Sequence, residues 1–354
     1  MNSVLITGGC GFIGANIALS LSQSGFKVTC FDNLSRRGSE HLLKIILKNR
    51  CVFRHGDVRN MEDLIRLPEK YDILIDCSAE PSVLVGAEGK ESDFMVKNNL
   101  CGSLNCFEYA RHNQTAIVFF STSRVYPYNQ INNCHFTEKE TRYVCAEKRK
   151  EISKNGIHTD FPVQGAKSLY GATKIAAENI LQEYSILYNI PAVINRCGVI
   201  SGPWQLGKQD QGIFAYWMAA HYYKKKLRYI GHGGKGKQVR DVLHIDDLTA
   251  LIKLQIRQIA KLRGEIFNVG GGNFSSLSLL ETTNLCREIS GNTVDIKSEK
   301  KNRPMDLIWY ISDNTKVAQT FGWKPEKKPE VILMDICKWL QQFPKICGEI
   351  FGVI

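Results

Sequence analysis

Two short stretches of the 354-residue chain hold side chains able to move a proton. In Ser168-Leu169-Tyr170-Gly171-Ala172-Thr173-Lys174 a phenol and an ammonium stand four residues apart, and on a helix that spacing places them on one face, one above the other. A free tyrosine ionises near about 10, and a neighbouring cation favours the phenolate, so Lys174 would bring Tyr170 into the range of a general base near neutrality. Ser121-Thr122-Ser123 closes an apolar run and offers hydroxyls for the same proton at the carboxyl end of a strand. A Tyr-x-x-x-Lys pair alone reads most simply as a solvated surface pair; chemistry at Tyr170 needs a partner that accepts electrons.

The first fourteen residues supply a place for one. Val4-Leu5-Ile6-Thr7-Gly8-Gly9-Cys10-Gly11-Phe12-Ile13-Gly14 reads as a strand turning sharply into a helix, with glycines spaced GxxGxxG. Gly8 would make the tight turn, Gly11 would let the backbone approach a pyrophosphate, and Gly14 would let the helix pack closely on the sheet. The N–H groups that open the helix then face the anion. The next apolar run, Val28-Thr29-Cys30-Phe31, ends in Asp32, where a carboxylate can accept both ribose hydroxyls of an adenosine. The same charge would repel a 2′-phosphate, which favours NAD over NADP; Arg36 and Arg37 read as solvated loop cations.

The elements that must hold these residues follow from periodicity. Apolar runs at Val4–Thr7, Val28–Phe31, Val52–Arg54, Ile73–Asp76, Ile117–Ser121 and Ala192–Asn195 read as strands, with helical patterns between most of them, the longest near Asp93–Arg111 and Ser168–Tyr188. Parallel strands with crossover helices follow: an α/β, Rossmann-type doubly wound parallel sheet, with a smaller C-terminal α/β lobe for substrate. The expected division is 1–190 for NAD and 191–354 for the substrate, with some exchange of chain between the two. Past Gly202 the pattern becomes irregular. There Gly231-His232-Gly233-Gly234-Lys235-Gly236-Lys237 imitates most of a Walker A loop, but Gln238 stands where magnesium needs a hydroxyl, so the stretch reads as a loop over the substrate.

Composition narrows the classes. The net charge is +11, yet apart from Lys224-Lys225-Lys226 the cations are spread along the chain; a basic surface around an anionic substrate is more economical than nucleic-acid binding. Twelve cysteines include no CxxC pair and several lie in apolar runs, which reads as buried thiols in a reduced, cytoplasmic protein without a bound metal. No apolar run is long enough to span a bilayer.

Together with Asp32, Gly56-Asp57-Val58, Asn99 with Gly102 and Asn105, Thr122 before Val125-Tyr126, Tyr170 with Lys174, and Arg196, the glycine motif resembles the extended short-chain dehydrogenase/reductase family of NAD-dependent epimerases and dehydratases. Within it, Phe31-Asp32-Asn33-Leu34-Ser35-Arg36, Thr141-Arg142-Tyr143, Asp210-Gln211-Gly212 and Gly236-Lys237-Gln238-Val239-Arg240-Asp241-Val242-Leu243-His244 resemble the CDP-paratose (CDP-tyvelose) 2-epimerase branch. The resemblance implies that Gly8, Gly11, Phe12, Ile13 and Gly14 hold the NAD pyrophosphate, Asp32 and Asn33 the ribose, Asp57 and Val58 the adenine, and Lys174 the nicotinamide ribose, with Asn99 also on the cofactor side. Thr122 would bond the reacting hydroxyl and Tyr170 exchange its proton. Ser123, Asn195, Gln211, Arg240 and Arg303 would line the nucleotide-sugar site, Asn268 with them, and Trp204 would either pack or stack on a base.

The implied reaction is oxidation to a ketosugar, rotation, and return of the hydrogen to the other face, so the cofactor ends unchanged. The family further implies a homodimer built on the two long helices. Departures fall beside the sugar: Asp76-Cys77-Ser78 where many relatives carry His, Ser201-Gly202 for Tyr-Gly, and Lys167-Ser168-Leu169 for His-Ser-Pro. Thr122 is followed by Ser123-Arg124 instead of the Asp-Glu of the dehydratases. A 4-epimerase, a dehydrogenase that releases the ketosugar, and a non-catalytic nucleic-acid-binding or NAD-sensing protein are the alternatives.

Overall fold

The computed structural model describes residues 3–86, 91–207 and 211–352. In chain order its elements begin β1 (Ser3–Thr7), α1 (Phe12–Gln23), β2 (Lys27–Asp32), α2 (Ser39–Lys48), β3 (Val52–His55), α3 (Met61–Ile65) and β4 (Ile73–Asp76). A long helix then runs as α4 (Ser92–Met95), a π-helical stretch Val96–Cys101 and α5 (Gly102–Asn113), followed by β5 (Ala116–Thr122). After α6 (Tyr128–Asn132) come the short β6 (Phe136–Glu138), β7 (Tyr143–Cys145), β8 (Ile152–Ser153) and β9 (Gly156–Ile157), then α7 (Leu169–Leu187), β10 (Ala192–Cys197) and β11 (Val199–Ser201). The chain continues through α8 (Ile213–Tyr222), β12 (Leu227–Ile230), β13 (Val239–His244), α9 (Ile245–Gln258), β14 (Arg263–Val269) and β15 (Ser276–Ser278). It closes with α10 (Leu279–Ser290), β16 (Ile296–Glu299), β17 (Trp309–Tyr310), α11 (Thr315–Phe321), α12 (Pro329–Gln342) and α13 (Pro344–Ile350).

The six strands expected from apolar runs are all present, each within one or two residues of its expected ends, and they lie in one seven-stranded sheet of order β14-β10-β5-β4-β1-β2-β3. From β3 to β5 the pairs are parallel. The order reverses beside β1, so the loops after β1 and β4 open a crevice at the carboxyl edge, where ligands of open α/β sheets bind. The seventh strand, β14, was not expected: Arg263–Val269 carries Arg263, Gly264 and Glu265 in its first half, which hides its apolar end.

The chain divides into two compact units, but not by one cut near residue 190. One comprises Met1–Val125, Leu169–Arg196 and Thr249–Phe267; the other comprises Tyr126–Ser168, Cys197–Leu248 and Asn268–Ile354. The short strands β6 to β9 therefore belong to the second unit although they precede α7, and α9 returns the chain to the first so that β14 can complete its sheet.

In the first unit the sheet residues Leu5, Phe31, Leu74, Ile117 and Phe119 pack with Phe107, Ala110, Ala177 and Leu181 from the covering helices, all buried; burying each larger side chain contributes about 1.5–3 kcal/mol. The second unit has its own core of Phe214, Trp217, Met218, Leu277, Ile332, Leu333, Ile336 and Trp339, beside a four-stranded sheet of β11, β13, β15 and β17. Its helix α10 starts at a capping box, Ser278 with Glu281. Among the described residues no helix is long and apolar enough to cross a membrane.

Candidate functional site

The glycine turn is built as its spacing requires. Gly8 lies in the left-handed region at φ +62°, and a Cβ there would stand 2.7 Å from the Cys77 carbonyl oxygen. A Cβ on Gly14 would stand 2.3 Å from the Gly8 carbonyl oxygen, so the helix meets the turn backbone to backbone. Gly11 differs: its Cβ would meet only the Gly8 oxygen, at 3.1 Å, with otherwise open space. Gly11 is the N-cap of α1, and no acidic side chain occupies the first turn, leaving the Phe12, Ile13 and Gly14 N–H groups and the positive helix end to an anion. These residues fit a dinucleotide pyrophosphate, and the space left at Gly11 is where its backbone approach would fall.

Asp32 ends β2 with its carboxylate already oriented, Oδ2 accepting from the Cys10 N–H at 2.9 Å and Oδ1 from the Leu34 N–H at 2.8 Å. Burial raises its pKa while those two N–H groups oppose the rise. Each oxygen keeps acceptor capacity for a ribose hydroxyl. Asn33 donates to Asp57 Oδ2 at 2.9 Å. Asp57 is gripped by the Arg59 guanidinium, which with further donors holds its pKa down at about 2. Val58 is buried, its carbonyl taken by Asn105 at 2.8 Å. Asn99 sits on the π-helical stretch, fully buried; its amide accepts from the Glu80 N–H at 2.8 Å and donates to the Glu80 carbonyl at 2.9 Å. It braces the loop after β4, and its amide is turned to that loop.

Thr122 and Ser123 are buried at the carboxyl end of β5, and Thr122 Oγ1 accepts the Arg124 N–H at 3.1 Å. Helix α7 packs against β5 and against the 3-10 turn Ser123–Val125. Tyr170 lies in its first turn, half-buried. One turn on, Lys174 is 2% exposed with its ammonium 4.5 Å from the centre of the Phe119 ring, a cation–π contact that holds the charge inside the fold. A solvated surface pair is thereby ruled out.

Two acids of this unit are fully buried, Asp76, which the sequence marks as a departure beside the sugar, and Glu178, which sequence reasoning missed. Asp76 accepts from Thr7 Oγ1 at 2.7 Å and Ser103 Oγ at 2.8 Å, tying β1 and α5 to the end of β4. Glu178, fully buried, pairs with Arg196 at 2.7 Å and accepts the Ser121 hydroxyl. The signal for Glu178 was available: it stands four residues after Lys174, at the interval that placed Lys174 four after Tyr170.

In the second unit Arg240 on β13 is held by Asp306 Oδ1 at 2.9 Å and by the Leu307 carbonyl at 2.6 Å, with His232 Nε2 3.6 Å from the other Asp306 oxygen. Arg303 is on the same turn as Asp306, whose N–H donates to the Arg303 carbonyl at 3.4 Å. Gln211 directly precedes Gly212, the N-cap of α8; Asp210 of the same motif lies outside the described residues.

Two residues expected at the substrate are engaged by the protein itself, and of the two roles open to Trp204 the structure shows packing. Asn195 is fully buried in a reciprocal amide pair with Gln255, at 2.9 and 2.8 Å, which engages its side-chain amide within the first unit. Asn268 accepts the Tyr126 hydroxyl at 2.7 Å and donates to the Ile157 carbonyl at 2.8 Å, a structural junction of the second unit. Trp204 packs, with Phe343 at 4.7 Å and Trp339 at 5.5 Å between ring centres. The glycine-rich stretch makes the 3-10 turn His232–Gly234, fastened by Asn302 Oδ1 to the His232 N–H at 2.7 Å and by Ser298 Oγ to the Gly234 carbonyl at 2.9 Å; it has neither the strand-to-helix setting nor the hydroxyl of a triphosphate loop.

Comparison with known proteins agrees with this arrangement. The model of the NAD dependent epimerase/dehydratase family matches residues 4–270. The chain is 31% identical over 337 residues to the CDP-paratose 2-epimerase of Salmonella typhi, covering 91% of this chain and 94% of that one. It is 27% identical to the bifunctional UDP-glucose 4-epimerase and UDP-xylose 4-epimerase 1 of Pisum sativum, covering 96% of each. Among solved structures, Pal from Bacillus thuringiensis superposes with a TM-score of 0.80 at 24% identity, covering 96% of this chain and 99% of that one. The UDP-glucuronic acid 4-epimerase of Bacillus cereus, solved with UDP-glucuronic acid and NAD, gives 0.78 at 23% identity with the same coverage. With a glycine turn opening on a helix N-terminus, Asp32 at the end of β2 and a Tyr-x-x-x-Lys pair whose lysine is buried, the chain belongs to the NAD dependent epimerase/dehydratase family, a family of enzymes whose cofactor is NAD.

Proposed function

We propose that the chain is a nucleotide-sugar 2-epimerase acting on a CDP-activated hexose of the paratose type. The observation that carries the reaction class is the Lys174 ammonium, held inside the first unit one helical turn from Tyr170. The CDP-sugar and the C2 position rest on the 31% identity to the Salmonella typhi enzyme and on the run Gly236–His244, which resembles the CDP-paratose 2-epimerase branch. Tyr170 as phenolate takes the proton of the sugar hydroxyl at its Oη, and Thr122 Oγ1 orients that hydroxyl. Lys174 stabilises the phenolate and holds the nicotinamide ribose. NAD, when bound, supplies the two-electron oxidation of the sugar carbon and its reversal. The proton returns from Tyr170 Oη once the ketosugar has presented its other face, so the reaction needs no net acid or base. Gly8, Gly11, Phe12, Ile13, Gly14, Asp32, Asn33, Asp57 and Val58 hold the cofactor; Arg240 and Arg303 provide the charge-assisted hydrogen bonds that a diphosphate requires, with Ser123 and Gln211 beside the sugar.

Tyr170→Phe tests this directly. It keeps the ring and removes the proton acceptor, so turnover falls at least about 100-fold while NAD stays bound; near-normal turnover rejects Tyr170. A substrate deuterated at C2 gives a product inverted at C2 that retains the label in ordinary water, because the hydrogen removed is the one returned. Loss of label to solvent rejects this route. The second reading, a 4-epimerase, is favoured by the similarity to the pea 4-epimerase and by the altered residues Asp76 to Ser78 and Ser201; inversion at C4 with C2 untouched selects it.

The assembly belongs to the same proposal. Ile186 and Leu187 at the end of α7 are 67% and 68% exposed, as suits a helix that pairs with a second copy in a homodimer. All twelve cysteines are free thiols, which supports a reduced, cytoplasmic setting.

A further inference from the structure

Glu178 lies one helical turn beyond Lys174 and two beyond Tyr170, on the same face of α7. Its carboxylate is fully enclosed and joins two other elements of the first unit. Arg196 of β10, its side chain 5% exposed, donates Nε to both oxygens at 3.1 and 3.0 Å and Nη2 to Oε2 at 2.7 Å. Ser121 of β5, the residue before Thr122, donates its hydroxyl to Oε1. One side chain thus ties the helix that carries Tyr170 and Lys174 to the strand that carries Thr122.

Packing alone does not require this. A buried ion pair is desolvated at a penalty that often exceeds its Coulombic gain, and an apolar pair of the same volume holds elements together as well or better. What such a pair supplies is register. Around Tyr170 and Lys174 the other buried residues of α7 are Gly171, Thr173 and Ala177, small side chains that interlock weakly along the axis, with the larger Leu181 further along the helix, and a slip of one residue shifts a helix by about 1.5 Å. Reacting groups must be held within about 0.5 Å of their productive geometry.

We infer that Glu178, with Arg196, is a positioning residue for the reaction. It fixes the axial position of α7 against β5, and through it the Tyr170 phenol and Lys174 ammonium relative to the Thr122 hydroxyl. The inference rests on the reading of Tyr170, Lys174 and Thr122 as the reacting groups.

The test uses variants that remove the tie without stranding a charge. Glu178→Gln leaves the Arg196 guanidinium buried and unpaired, so the deciding variants are the double change Glu178→Met with Arg196→Met, and Ser121→Ala, which cuts only the link to β5. Each is measured as the NAD-loaded enzyme with CDP-paratose as the probe. The ionisation of Tyr170 is followed by carbon-13 NMR of labelled tyrosine, with Tyr170→Phe giving the assignment. A misplacement of about 1 Å costs on the order of 100-fold in rate, so the double variant is expected to fold cooperatively and to bind NAD normally while losing kcat on that scale. KM stays within about threefold, and Tyr170 titrates at higher pH as Lys174 loses its fixed place. Ser121→Ala shows the same split at about a tenth of the loss, and it alone decides if the double variant does not fold. A folded variant with normal kcat and normal Tyr170 titration overturns the inference, as does a loss confined to KM or to NAD retention. Full activity in Tyr170→Phe overturns the reading beneath it, whatever Glu178 does.

Discussion

Gly11→Ala separates the cofactor's demand on the glycine turn from the demand of the fold. At Gly11 the backbone is extended, with φ −83° and ψ 173°, so alanine adopts it without strain. Its methyl would meet only the Gly8 oxygen, at 3.1 Å, which a shift of a few tenths of an ångström relieves. Alanine is a poorer N-cap than glycine by a few tenths of a kcal/mol or more, and the reduced freedom of the unfolded chain returns about 0.4–1 kcal/mol, so net stability should barely move. The pyrophosphate is another matter. A methyl between it and the helix N-terminus removes one or more charge-assisted hydrogen bonds, each about 1.5–3 kcal/mol, which is roughly 10- to 150-fold in affinity. Gly14→Ala differs in kind: its Cβ would lie 2.3 Å from a backbone oxygen, so α1 must move off β1 and both stability and NAD affinity fall, stability by about 1–3 kcal/mol. Thermal unfolding of the cofactor-free proteins and calorimetric titration with NAD measure the two effects. Unchanged NAD affinity in Gly11→Ala, or a stability loss as large as that of Gly14→Ala, would refute the assignment of this space to the cofactor.

Asp32→Ala should weaken NAD by about 1.5–3 kcal/mol, the loss of a charged acceptor; titration calorimetry reads it, and unchanged affinity removes Asp32 from the ribose. Asp241, fully buried and accepting the Gly272 and Ser312 N–H groups at 3.2 and 3.0 Å, has its pKa raised from 3.8 to about 6, chiefly by desolvation. The folded state therefore binds this proton more tightly, and the contribution to stability is present below pH 3.8 and lost as pH rises through about 6. Asp241→Asn should cancel a pH-dependent difference on the order of 3 kcal/mol between pH 4 and 7; parallel denaturant-melting curves for the two proteins across that range would contradict it. Light scattering at micromolar concentration should find a dimer, and a strict monomer removes the pairing of α7 without touching the chemistry.

The glycine turn, Asp32 at the end of β2 and the Tyr170–Lys174 interval were legible because their constraints are local. Backbone contact at Gly8 and Gly14, an acid at the end of the next strand, and a four-residue helical interval all act within short segments, where sequence order and spatial order coincide. Asn195 and Asn268 show where that stops. Each is a polar residue at the end of a buried strand, as a ligand contact would be, and what separates a ligand contact from a structural one is the partner. Asn195 finds Gln255 from a helix some sixty positions away, and Asn268 finds Tyr126 and Ile157 more than a hundred positions back. Spacing holds no record of either. The interleaving of the two units was hidden for the same reason, since α9 and β14 carry no local sign of which sheet they complete.

Buried charge follows the same logic. Asp76 and Glu178 are acids inside apolar surroundings, and each is tolerated because residues distant in sequence satisfy it: Thr7 and Ser103 for one, Ser121 and Arg196 for the other. At the carboxyl edge of the sheet Asp76 is an acceptor that draws in three hydroxyls, from Thr7, Ser78 and Ser103. Those partners set which hydrogen bonds the end of β4 can offer, apart from the glycine cradle and the Tyr170–Lys174 pair. The glycine turn and the Tyr170–Lys174 interval are thus set by short-range rules, whereas Asp76 and Glu178 are placed by partners that only the fold supplies.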